Sequence, residues 1–183
     1  MAIEKTSQKY FPKAEVGRRA MALGTDFLAV WVLSSLLGSL AFGVQLAQIL
    51  IFILVWFLLR VLLVYNNQGQ SLGRWAFDMK VLEADRERGR IPSLLALTKR
   101  EAIIGAGALG VSIALSNLSQ NPTVILLVIP LVIDCSTAFS DREFKQALHD
   151  RFAGTMIVSS QRGYSLDIKV KRLVDIWRQN VRR

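Results

Sequence analysis

The 183-residue chain has one cysteine, Cys135, and one histidine, His149. A lone thiol closes no internal disulfide and a lone imidazole builds no multi-His metal site, so disulfide scaffolding and zinc chemistry are both disfavoured. Charge is also missing over long stretches. No Asp, Glu, Lys or Arg occurs from Phe27 to Leu59 or from Ala102 to Ile133, each a run of more than 30 residues. One membrane crossing needs ~20 apolar residues, so each run approaches two crossings joined by a tight turn. Hydrophobic residues make up 52% of the chain but gather in blocks, not at amphipathic spacing, which excludes an ordinary soluble core. A cleaved secretory leader is not expected, because Met1 to Arg19 is polar and carries Lys5, Lys9, Lys13, Arg18 and Arg19.

What charge is present is distributed unevenly. Of the 23 Lys and Arg, five precede the first uncharged run, Arg60 follows it directly, seven fall between Asn66 and Arg100, and ten follow Phe139. None falls in Ser39 to Gln48 or Asn117 to Pro122, the expected turns of the two hairpins. The positive-inside rule then puts both termini and the middle segment in the cytoplasm. The net charge of +9 is thereby explained without nucleic acid, which is not expected as a partner.

Four crossings are expected, at about 19–38, 45–65, 102–118 and 122–139, after a lead-in over 1–17. The cytoplasmic segment 66–101 begins with Gly69-Gln70-Ser71-Leu72-Gly73-Arg74, a tight re-entry along the membrane surface. Asp78 to Glu83 reads as a strand, 85–90 as a charged turn and Arg90 to Leu94 as a return strand, with Thr155 to Ser159 a further strand able to join them. Ser93 is placed to cap the next helix. Gly105-Ala106-Gly107-Ala108-Leu109-Gly110 matches GxGxxG by letters, but it lies inside an apolar span with no strand before it, so helix packing along Ala102, Ala106, Gly110 and Ala114 is the better reading. Pro130 should bend the fourth crossing. After Ser165 a basic amphipathic helix is expected, with Lys169, Arg172, Trp177 and Arg178 available to an anionic leaflet, to a partner or to the protein's own surface.

Three ionisable residues lie inside the expected crossings: Asp26, Arg60 and Asp134. At ~1.5 Å per residue all three fall roughly 7 to 11 Å below the cytoplasmic surface, in one layer. A charge within a bilayer is costly, so such a layer calls for mutual pairing or access to water. One reading is an ion or proton site; the other is structural, with Arg60 reaching the headgroups and Asp26 paired to Arg19, seven residues away on the same helix face. His149-Asp150-Arg151 lacks any nucleophile in readable relation to it, so catalysis is not expected.

Arg19 and Asp26, then Gly69 to Arg74 leading to Lys80-Val81, then Lys99-Arg100-Glu101, and finally Leu148-His149-Asp150-Arg151-Phe152-Ala153-Gly154-Thr155 together resemble the RDD family of membrane proteins. The resemblance runs from about Val16 to Val158, and by motif position the name-giving residues are Arg19, Asp26 and Asp150, with His149 and Arg100 as candidates standing behind them. It implies a small polytopic bacterial-type membrane domain for which transport of ions or other ligands is usually proposed. Gly24-Thr25, Asp134 and the basic tail lie outside the pattern.

The expectation is therefore an all-α membrane protein of four transmembrane helices in two hairpins, both termini cytoplasmic, with a small cytoplasmic β-element and a C-terminal amphipathic helix. Its membrane domain spans 18–160 and its tail 161–183. It would sit in a bacterial-type inner membrane, or a thylakoid membrane in a photosynthetic source, with no cofactor. The function expected is ion or small-solute transport through the charged layer. The alternative is a non-catalytic scaffold or assembly factor that holds a partner complex or anionic lipid through its cytoplasmic face. Four helices can hardly enclose a pathway alone, so transport favours an oligomer.

Overall fold

The computed structural model describes residues 12–38, 44–84, 89–140, 145–160, 165–166 and 168–170. Helix α1 (Val16–Gly38) is followed by α2 (Val44–Phe57), a π-helical turn (Leu58–Leu62) and α3 (Leu63–Asn66). The short α4 (Leu72–Ala76) leads to β1 (Met79–Glu83), and α5 (Leu94–Asn117) then starts at Ser93, whose side chain accepts from Ala96 N–H at 3.2 Å. A 3-10 segment (Pro122–Val128) passes into α6 (Ile129–Ser140), after which come α7 (Leu148–Ala153) and β2 (Thr155–Ser159).

Three helical stretches, Val16–Leu37, Leu46–Asn66 and Pro122–Ser140, are long and apolar enough to cross a membrane. Their outward faces carry exposed Leu28, Leu36, Leu46, Leu50, Leu126 and Val132, the reverse of a soluble surface. Helix α5 is longer, but its first turns hold Lys99, Arg100 and Glu101, and the 16 residues left from Ala102 to Asn117 span only ~24 Å. As a fourth span it is thus shorter than the hydrocarbon core it would cross.

The structure corrects one expectation and refines two. The partner of β1 is β2, paired antiparallel from Met79↔Ser159 to Glu83↔Thr155, and not the segment 90–94. That segment holds Pro92, which has no N–H for a ladder, and Ser93, already committed to the helix cap. Pro130 lies inside the helical stretch Pro122–Ser140, at the second residue of α6, and the change from 3-10 to α takes place there. Pro130 cannot donate to Leu126 O; Ile129 N–H does so in its place. Along α5 half of the expected stripe packs: Gly110 meets Leu127 and Ala114 is buried, while Ala102 and Ala106 are exposed and further close contacts form where Gly105 meets Trp56 and Gly107 meets Leu131.

The turn at 39–43 and the residues Arg172, Trp177 and Arg178 lie outside the described residues. Lys169 is described and is exposed.

The π turn decides how the second long helix packs. Leu63 N–H bonds Leu58 O, five residues back, so one residue more than an α turn is accommodated and the helix face shifts by about 100°. Before it, Phe52 and Trp56 pack with Val30, Ile104 and Ala108. Val61, within it, and Val64, after it, pack with Val81 and Leu97. Arg60 sits in the turn, 2% exposed, where the two packing faces meet.

Candidate functional site: a buried arginine–carboxylate network

Asp26 faces α4. Gly73 makes that approach possible: a Cβ there would lie 2.1 Å from Ala22 O, so only glycine lets α4 rest against α1. Gly73 N–H donates to Asp26 Oδ1 at 2.7 Å, and Ser71 Oγ, while capping α4, donates to Asp26 Oδ2 at 2.6 Å. Arg60 Nη1 completes the set on Oδ2.

From Arg60 the network runs to Glu101, which is 2% exposed and is shared by three arginines. Arg60 Nε donates to Oε2 at 2.9 Å; Arg74 Nη2 and Arg100 Nη1 donate to Oε1 at 3.0 and 2.5 Å. The Arg60 guanidinium also lies 5.1 Å from the Trp56 ring centroid, and the Trp56 indole N–H donates to Glu101 O at 3.2 Å. Arg100 continues the chain by donating from Nε to Asp150 Oδ1 at 2.8 Å, an oxygen that also accepts from Thr155 Oγ1 at 3.2 Å. Arg19 bonds Asp150 Oδ2 through Nη2 and the Lys145 carbonyl through Nη1.

His149 closes the far side. Its N–H donates to Asp134 Oδ1 at 2.9 Å, its Nδ1 lies 2.5 Å from Asp134 Oδ2, and its Nε2 lies 3.2 Å from Arg100 Nη2. A guanidinium only donates, so Nε2 accepts and the proton sits on Nδ1, facing Asp134. This geometry assigns a neutral imidazole in the Nδ1–H tautomer.

The network thus joins four arginines (19, 60, 74, 100) to four carboxylates (26, 101, 134, 150) and balances in charge. For Asp150, outside the candidate spans, burial by itself raises the pKa. Arg100 above all, with Arg19, reverses that and holds the carboxyl far below the usual range. Among the described residues no group of three or more His, Cys, Asp or Glu could hold a metal ion.

Asp26 and Arg60 are in direct contact; Asp134 reaches them only through His149, Arg100 and Glu101. Arg19 does not pair with Asp26. Helical side chains lean toward the N-terminus, so Arg19 leans away from a residue two turns onward, while Asp26 is occupied by Ser71, Gly73 and Arg60. Arg100 and His149 are themselves members of the network. Sequence reasoning gave no role to Glu101, Arg74, Ser71 or Thr155. The signals available were the Ser71-to-Arg74 capping spacing and a glutamate flanked by cations at the edge of an apolar block.

Apolar helices that lock a balanced cluster of buried charges at one end define a helical protein of membrane type. A family model, that of the RDD family, matches residues 13–154, and the chain belongs to this family. Searches of curated proteins and of solved structures match nothing.

Proposed function

We propose that this chain is a four-span membrane protein, with both termini and residues 66–101 on the cytoplasmic side, that transports an ion or small solute through its charged layer. The observation that carries this reading is that each long apolar helix contributes to one connected network: Asp26 from α1, Arg60 from the π turn after α2, Glu101 from α5 and Asp134 from α6. A displacement of any of these helices must break or exchange ion pairs, which couples charge to movement. Reconstituted into vesicles, the wild type is expected to carry a flux that Asp26→Asn and Asp134→Asn abolish in folded protein. An equal flux through both variants removes the basis of the reading.

A scaffold function is the second reading, and it is supported by how completely the charges are satisfied: a network with almost every donor bonded holds helices still. Deleting Ser165 to Arg183 should then abolish co-purification of partners, whereas under the transport reading flux survives the deletion. Pull-down in mild detergent with mass spectrometry tests partners and oligomeric state together.

A further inference from the structure

We propose that a cavity in front of the network binds an anionic amphiphile, a phosphate headgroup carried on an apolar chain. The proposal concerns binding, and it holds or fails whether or not the chain transports.

The network is neutral as a whole but not on each side. A cavity of 310 Å³ opens between α1, α5 and α6, and among the described residues the charged side chains lining it are Arg19, Arg60, Arg74 and Arg100. None of the four network carboxylates lines it. Cations in low-dielectric walls, with their counter-charges set behind them, give a positive recess. Arg74, one of the lining residues, is 2% exposed, and its Nη1 has no hydrogen-bond partner among the described residues. A buried donor left unsatisfied is unfavourable, and an oxyanion in the recess would relieve it.

The rest of the cavity is apolar. Leu23 and Phe27 of α1, Ala108 and Val111 of α5, and Leu131 and Phe139 of α6 line it. Two of the helices that line it are apolar enough to span a membrane, so an acyl chain would enter from the bilayer. Gly24 leaves α1 thin at this point, and a Cβ there meets nothing within 4 Å. At 310 Å³ the space lies at the lower end of the ~300–1,000 Å³ of small-molecule sites, and a bare phosphate would leave its apolar half empty.

The test uses the full chain in detergent, with phosphatidylglycerol, phosphatidylcholine and inorganic phosphate as probes. Native mass spectrometry is expected to show phosphatidylglycerol retained about tenfold over phosphatidylcholine, and Gly24→Leu, which fills the mouth without touching the network, to lower that retention about tenfold. Arg74→Gln should lose binding and Arg74→Lys should largely keep it; if Arg74→Gln fails to fold, Gly24→Leu and Arg74→Lys decide. Cys135, the chain's single thiol, lines the cavity, so bound phosphatidylglycerol should slow its alkylation. Equal retention of the two lipids, retention unchanged in Gly24→Leu, or no protection of Cys135 would overturn the proposal. Displacement of phosphatidylglycerol by millimolar inorganic phosphate would overturn the amphiphile assignment and leave a free-anion site.

Discussion

The same helices are held together by different forces at their two ends. At the charged end, α1, the π turn, α5 and α6 meet through arginine–carboxylate pairs. Away from it they meet through apolar and small residues: Val30, Phe52 and Ile104 form a core, and Gly110 lets α5 touch the Leu127 backbone. The difference concerns specificity. Apolar faces in lipid gain little from meeting one another, since the tails are as apolar as the side chains, so close packing supplies only part of the choice of partner. A carboxylate with three donors accepts one arrangement and makes the others costly.

That contrast can be broken by experiment. The largest effect is expected from Glu101→Gln, which leaves three buried arginines without their common counter-charge and should destabilise the folded protein by about 3–5 kcal/mol, read as a fall in thermal midpoint in detergent. Next comes Asp150→Asn, with a loss of about 3 kcal/mol at neutral pH. Because the folded Asp150 carboxyl is held below its unfolded value near ~3.9, its contribution is complete above that pH and fades as pH falls toward the folded value. The gap between wild type and Asp150→Asn should accordingly close in acid; a gap constant from neutral pH to about pH 3 would refute the assignment. Smallest is Gly110→Ala, whose Cβ would lie 2.8 Å from Leu127 O and should cost about 1–2 kcal/mol. If it matches Glu101→Gln, the two ends are not held differently after all.

Much of the architecture is legible in the letters. Two uncharged runs announce the apolar helices, Ser93 announces the start of α5, and Arg19, Asp26 and Asp150 are recognisable as a motif. Which charge meets which is not legible, because the deciding separations are long: Arg19 and Asp150 are 131 residues apart, while Asp26, only seven away, is the wrong partner. Strand pairing failed for a related reason. Proximity favoured 90–94 as the return strand, but β1 is completed by a segment more than 70 residues downstream. Glu101, named only as part of the Lys99-Arg100-Glu101 motif, was given no pairing role because a glutamate near a helix start has an ordinary local explanation, and its three arginines come from 60, 74 and 100.

The Asp150 link also orders events during synthesis. Arg19 and Arg100 leave the ribosome well before Asp150, and β1 well before β2. The early helices must therefore enter the membrane with two guanidinium groups still lacking their final partner. Only when the segment after the last apolar helix arrives does one aspartate fasten the beginning, the middle and the end of the chain together, so a polypeptide truncated before Leu148 would carry the helices but not the clasp.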